Sequence, residues 1–213
     1  PGVEHLVEID EIRDRLAVLT RDVQKEVMTF AGGQQSVQAI EAAKPLDEQL
    51  ADRGICSRTV HLDSARNSPH TAEYLAWLVG RRAQVRTVPT LPARMVMFDR
   101  ARAVIPVKSE DTAAGVVILS GEGTLAMFCA LFETVWDNAR PLTDEPRHDA
   151  HDLTNSEATV LRLLAVGHTD EAIAKRLGVS HRTSRRIATG LMERLGARSR
   201  FEAGAQAAKR GWL

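Results

Sequence analysis

Apolar side chains recur at two spacings along this chain, and the spacing changes more than once. Ile9, Ile12, Leu16, Leu19 and Val23 fall three to four apart with Asp, Glu and Arg between them, which predicts a helix over 9–23. Val27 to Phe30 is a short extended run closed by Gly32-Gly33. A second helical region runs from Ser36 to Arg53, where Pro45 is expected to interrupt it and to start its second half, and Gly54 ends it. Cys56 to Leu62 reads as a strand. Asn67-Ser68-Pro69 is a cap followed by a first-turn proline, so Pro69 to Arg82 is a helix whose apolar side is Ala72, Leu75, Ala76 and Val79.

After Arg82 the period becomes that of extended chain. Strands are expected at Gln84 to Thr90, Arg94 to Phe98, Ala103 to Val107 and Gly115 to Leu119, with polar turns at Asp99-Arg100 and Ser109 to Thr112. Thr124 to Asn138 returns to helical spacing through Leu125, Phe128, Cys129, Phe132, Val135 and Trp136, a strongly buried closing helix. This part is α/β, alternating early and with adjacent strands late. Arg140 to Asp152 has two prolines, heavy charge and no apolar period, and reads as a linker. Beyond it everything is helical. Thr154 and Glu157 have capping-box spacing and open a helix carrying Val160, Leu161, Leu164 and Ala165 to a stop at Gly167. A short helix from Asp170 to Leu177 stops at Gly178. Ser180 caps a third helix with the stripe Ile187, Ala188, Leu191 and Leu195, and Arg182, Arg185, Arg186 and Thr189 point away from that stripe. Ser199 and Glu202 repeat the capping box and open a fourth helix running toward Trp212. The second and third helices make a helix-turn-helix with a basic outer face.

A hydrophobic share of 44% supports a real core. The net charge of zero conceals an asymmetry: residues 152–213 hold 11 Lys and Arg against 6 Asp and Glu, and the rest 17 against 22. The C-terminal part is therefore positive by five and suits phosphate contact, while the acidic remainder argues against a second nucleic-acid surface. Cys56 and Cys129 lie in apolar runs and read as packing thiols in a reduced compartment. No apolar run approaches the ~20 residues of a membrane span, and no signal peptide is visible, so a soluble cytoplasmic protein is expected.

The motifs L-T-x-x-E at 153–157, G-H-T-D-E-A-I-A at 167–174, L-G-V-S-x-x-T at 177–183 and L-G-A-R-S-R at 195–200 resemble the LuxR/FixJ-type DNA-binding domain. Family members often carry Val after the recognition-helix Thr and His three residues later. Here those places hold Ser184, a mild packing change, and Ile187, a lost polar contact. Helical geometry and the resemblance both assign base reading to Arg185, Arg186 and Thr189. Lys175, His181, Arg182 and Thr183, at the helix ends, are placed for phosphates of double-stranded DNA.

A receiver domain, common in proteins with this C-terminal part, would need an acidic pair after its first strand. Val27 to Phe30 is followed by Ala31-Gly32-Gly33, so a phosphorylation-controlled response regulator is the weaker alternative. The element order over 5–140 instead resembles one half of a phospholipase D-like domain, the fold that also forms the sensor of TrmB-like regulators. Laying Asp99 on the last residue of that family's H-x-K-x-x-x-x-D motif puts Arg94 on the Lys and Pro92 on the His. Proline cannot serve as the nucleophile, so the resemblance implies a non-catalytic domain rather than a phosphodiesterase with a DNA-binding appendage. Arg94 either binds an anion or pairs with Asp99. Ser64 and Arg66, between a strand end and a helix start, are either ligand contacts or a plain capped loop. His148, Asp149, His151 and Asp152 form a polar linker cluster, and neither a metal nor a cofactor is expected.

The reading is an α/β phospholipase D-like half at 1–140, a sensor or dimerisation domain; a linker at 141–152; and an all-α four-helix LuxR-type helix-turn-helix domain at 153–213. A homodimer with an unidentified small-molecule ligand is expected. The chain starts at Pro1, which fits either loss of an initiator Met or the C-terminal part of a longer regulator.

Overall fold

Successive side chains of a strand point to opposite faces of a sheet, and here helices cover both faces. In the computed structural model, which describes residues 2–33, 35–108, 111–144, 149 and 151–213, eight strands form one mixed sheet. They are β1 (Val3–Leu6), β2 (Glu26–Phe30), β3 (Cys56–Leu62), β4 (Gln84–Val88), β5 (Met95–Phe98), β6 (Arg102–Lys108), β7 (Asp111–Leu119) and β8 (Arg140–Pro141), in the order β1-β7-β6-β5-β2-β3-β4-β8. Only β2, β3 and β4 run parallel. They are joined by crossover helices α2 (Val37–Asp52) and α3 (Pro69–Gly80), as parallel neighbours require. The later strands are antiparallel and need only short turns.

Met28, Phe30, Val60, Met95 and Met97 face α4 (Glu122–Asn138) and pack on Leu125, Phe132 and Trp136. Val27, Phe98 and Val104 point the other way, toward Leu19 of α1 (Ile9–Asp22) and Leu50 of α2. Tyr74, Leu75 and Leu78 of α3 close the β4 end of that same face. The α4 face holds a charged network. Arg58 bonds both Glu133 oxygens at 2.9 Å and Glu26 at 3.1 Å, with its guanidinium 5.1 Å from the Phe132 ring and 5.4 Å from that of Trp136. Arg100 bridges the same two carboxylates.

Several expectations are corrected. Pro45 lies on the exposed side of a helix that runs unbroken through it, at the cost of one backbone bond. β1 and β8, which the pattern did not predict, add the two edge strands, so the first residues after Ala139 extend the sheet at β4 rather than leave it. Leu142 continues that attachment through its N–H to the Val85 carbonyl at 2.9 Å. Cys56 is exposed and not a packing thiol; Cys129 is half-buried against Met97, 3.5 Å between sulfurs. α4 is buried on one face only, with Met127 75% and Leu131 37% exposed.

The C-terminal helices are α5 (Asn155–Ala165), α6 (Asp170–Leu177), α7 (His181–Leu195) and α8 (Arg200–Lys209). Local chemistry sets their ends. Thr154 and Glu157 form the full capping box, and Thr169, Ser180 and Ser199 each accept a first-turn N–H. Gly178 and Gly196 stop α6 and α7 at φ 63° and 66°, the left-handed region that a side chain disfavours. Leu153, Val160, Leu161, Ile173, Leu177, Leu191 and Leu195 form their common core. Ser184 is fully buried in it with no partner for its hydroxyl, and Ile187 packs at its margin. Among the described residues, no helix is long and apolar enough to cross a membrane.

Candidate nucleic-acid interface

The basic residues of the C-terminal helices divide by what their charges already touch. Arg194 donates to the carbonyls of His151 and Asp152 at 3.0 Å each and pairs with Glu157, fixing the start of α5 to the end of α7. Arg210 bonds the carbonyls of Arg194 and Leu195, and Arg200 pairs with Asp170. These three are structural. Arg182, Arg185 and Arg186 are exposed on α7 and make no side-chain bond or ion pair with any described residue. With His181, Thr189, Gly190 and Glu193 they line one shallow concavity along the outer side of the helix.

That side is outward because the stripe Ser184, Ala188, Leu191 and Leu195 is buried. Arg185, Arg186 and Thr189 therefore form one exposed group about a helical turn long. His181 and Arg182 stand in the first turn. There Ser180 satisfies the Thr183 N–H at 3.1 Å and leaves the first two N–H groups pointing outward, where an anion is favoured. The Thr183 hydroxyl lies 2.9 Å from Ser180 Oγ, so any phosphate contact it makes is shared with the cap. Lys175 is exposed on α6 and has a partner within the chain.

The ligand candidates of the α/β part are separated. Arg66 is consumed: its guanidinium reaches the carbonyls of Pro141, Leu142 and Asp144 and the Thr87 hydroxyl, which ties β8 to β4. Burial pushes it below the usual arginine range, against the pull of Asp63. That is a structural role in place of the expected ligand contact. Ser64 is buried with an unpartnered hydroxyl, and a Cβ built on Gly33 would stand 2.5 Å from it. Arg94 lies against the backbone of Gly32 and has no partner among the described residues. Ser64 and Arg94 thus flank one turn, Gly32–Gly33, and Arg66 turns away from it. The alternative pairing of Arg94 with Asp99 does not occur. Asp99 sits at the opposite end of β5 and accepts from the N–H groups of Gln24, Lys25 and Glu26 at 2.7 to 3.0 Å. Burial pushes its carboxyl up, yet those three bonds hold it below the usual range. Gly33 also lies near the helix-turn-helix: a Cβ added to it would stand 3.2 Å from the Gly178 carbonyl.

His148 lies outside the described residues. Among those described, no cluster of His, Cys, Asp or Glu could hold a metal ion, and Asp149 accepts from the N–H groups of His151 and Leu153 at 2.8 and 2.9 Å. A set of groups that the pattern did not single out stands on the other sheet face. Asp47, Tyr74, His61 and Gln35 border a cleft beside α1 and α2. The Tyr74 hydroxyl donates to Asp47, whose carboxyl burial pushes up to about 6 against that bond. Burial lowers His61 to about 4, so it is neutral near pH 7. The available signal was two polar residues, Asp47 and Tyr74, at positions where helices of this kind carry apolar ones.

A mixed-sheet α/β part followed by four helices with a free cationic face defines a two-part helix-turn-helix protein. Residues 151–207 match the family "bacterial regulatory proteins, luxR family", so the C-terminal helices are a LuxR-family helix-turn-helix domain. A curated relative, the bialaphos biosynthetic pathway regulatory protein of Streptomyces hygroscopicus, is 34% identical over 157 residues, 74% of this chain. This chain spans 61% of that relative's length. The α/β part has a phospholipase D-like fold. Nuc of Salmonella typhimurium, a phospholipase D family member, aligns with a TM-score of 0.54 at 13% identity, over 67% of this chain and 99% of Nuc. TrmBL2, an archaeal chromatin protein, aligns with 0.51 at 12% identity, over 67% and 54% of the two chains.

Proposed function

We propose that the protein is a sequence-specific DNA-binding transcriptional regulator, with a non-catalytic α/β domain at 1–140 for ligand sensing or dimerisation, a linker at 141–152 and the DNA-binding domain at 153–213. The observation that carries this is the set of three exposed guanidinium groups on one side of α7 with no partner among the described residues, while Arg194, Arg200 and Arg210 of the same domain are tied down. Unpaired, aligned cations on the outer face of a recognition helix match the geometry of the major groove and its guanine edges. Arg185, Arg186 and Thr189 read bases; His181, Arg182, Thr183 and Lys175 hold phosphates and set the register. Such a protein works in the cytoplasm, where the chromosome is. The similarity to a regulatory protein of a biosynthetic pathway agrees with this assignment. Selection of duplexes from random DNA by the 213-residue chain tests it: enrichment of one preferred site supports the reading, and recovery of unrelated sequences contradicts it.

The fold of phospholipase D does not bring its chemistry. Pro92 occupies the expected nucleophile position, and Asp99 is spent on three backbone N–H groups at the far end of β5 from Arg94. A chromogenic bis-aryl phosphodiester is expected to turn over at background rate. Turnover lost in Arg94→Ala or Asp99→Ala would reverse this assignment.

A further inference from the structure

Between α1, α2 and the sheet lies a cleft of about 640 Å³, within the range of small-molecule sites. Its walls are built from short side chains. Ala17 stands on α1, and Ala39, Ala42 and Ala43 stand on α2, where larger residues would let the two helices close on each other. The floor is Thr29, Thr59, His61 and Phe98, the residues of β2, β3 and β5 that point away from α4. His61 is only 2% exposed, and its Nδ1 has no hydrogen-bond partner. Burial keeps the ring neutral near pH 7, so one of its nitrogens is a lone-pair acceptor, and Nδ1 is the one left without a partner. Gln35 Oε1, at the same cleft, is likewise buried and unpartnered. Buried acceptors are rarely left unmatched, and two of them on residues that line one cleft call for donors from a guest. The charges at this site offer nothing to an anion: Arg13 and Asp14 offset each other, His61 and Tyr74 are held neutral near pH 7 by burial, and the remaining group is the Asp47 carboxyl.

We propose that this cleft binds a neutral, mainly apolar small molecule that carries at least one hydroxyl or N–H group, which donates to His61 Nδ1. The proposal rests on the sensing role assigned above and gives that role a place, on residues other than Ser64 and Arg94. It also gives a route to the DNA-binding domain. Ala31 and Gln35 border the cleft on either side of Gly32–Gly33, and Gly33 lies near Gly178 in the turn between α6 and α7.

The test uses the full chain and two fluorescent probes: N-phenylnaphthylamine, neutral and apolar with one N–H, and phenylnaphthalene, which lacks the donor. Both are expected to bind saturably at one site per chain. Ala42→Leu keeps a good helix former on α2 and fills the cleft, and is expected to weaken both probes at least about tenfold. His61→Phe is expected to weaken the N–H probe about fivefold, the worth of one net hydrogen bond, and to leave phenylnaphthalene unchanged. If His61→Phe fails to fold, Ala42→Leu still decides. Absence of saturation, or an Ala42→Leu variant that binds as the parent does, overturns the proposal, the latter by placing the probe on another surface such as Met127 and Leu131. Site-specific DNA binding is measured on the same samples. DNA binding without probe binding defeats the cleft alone, and probe binding without DNA binding defeats the regulator reading alone.

Discussion

Replacing Arg58 by Met tests how α4 is held to the sheet. The Arg58 side chain is 13% exposed and serves Glu26, 19% exposed, and Glu133, 36% exposed, beside two stacked aromatic rings. Those partners raise Arg58 above its usual range, and the bond from Arg58 is the main reason Glu133 falls below the carboxylate range. Met preserves an apolar stem beside the rings and removes every donor. Breaking a buried ion pair costs about 3–5 kcal/mol because the abandoned charge stays buried. Here Arg100 still reaches both carboxylates and Glu133 is partly in water, so the lower end applies, about 3 kcal/mol. That corresponds to a fall in Tm of roughly 6–12 °C. Urea unfolding followed by the fluorescence of Trp136, in a background with Trp77→Phe and Trp212→Phe, isolates this part of a chain whose two parts are free to unfold separately. Arg58→Lys is expected to restore less than half, since an ammonium cannot span two carboxylates as a planar fork. Combined with Glu133→Gln, the cycle should return a coupling of about 1–3 kcal/mol. An Arg58→Met protein within about 0.5 kcal/mol of the parent would refute the reasoning and make the network an ordinary solvated pair.

Asp47 gives the pH prediction. Its folded carboxyl is raised from 3.8 to about 6, so the fold favours the protonated form, and the stability present below pH 4 is lost as pH rises to about 6. Asp47→Asn should therefore match the parent at pH 4, exceed it by up to about 3 kcal/mol at pH 8, and flatten the interval between in urea titrations; equal differences at both pH values would disprove it. The exposed Met127 and Leu131 on α4 predict a homodimer in light scattering at micromolar concentration, burying on the order of 1,200–2,000 Å². Met127→Glu with Leu131→Glu should yield monomers, and a parent that is monomeric at that concentration would dismiss the interface.

What could be read from the chain was local. Thr154 with Glu157, Ser180 before α7 and Gly178 after α6 each declare a helix end through their own backbone, and the structure has those ends. Cys56–Leu62 is likewise found as expected, a short run around Thr59 and Val60 bounded by Gly54 and by the capped start of α3. β1 and β8 exist only through partners far along the chain: β1 is largely exposed, and β8 has two residues. The role of Arg66 depends on β8 and was hidden for the same reason. Pro45 was misjudged because a helix interior tolerates one missing bond when tertiary packing supports the turns on either side. The exposed group on α7 follows from helical periodicity and was accessible in sequence, whereas the cleft arises from the distance between α1 and α2, which no local pattern encodes.

The division of labour on α7 is the central claim, and fluorescence anisotropy on the selected site, titrated with salt, measures it directly. Arg185→Ala is expected to cost ~1–3 kcal/mol on that site, to flatten the preference over a scrambled duplex and to leave the salt slope of non-specific binding unchanged. Arg182→Ala should weaken both duplexes alike and reduce the salt slope by about one unit. Identical behaviour of the two variants, in preference and in slope, would contradict the account.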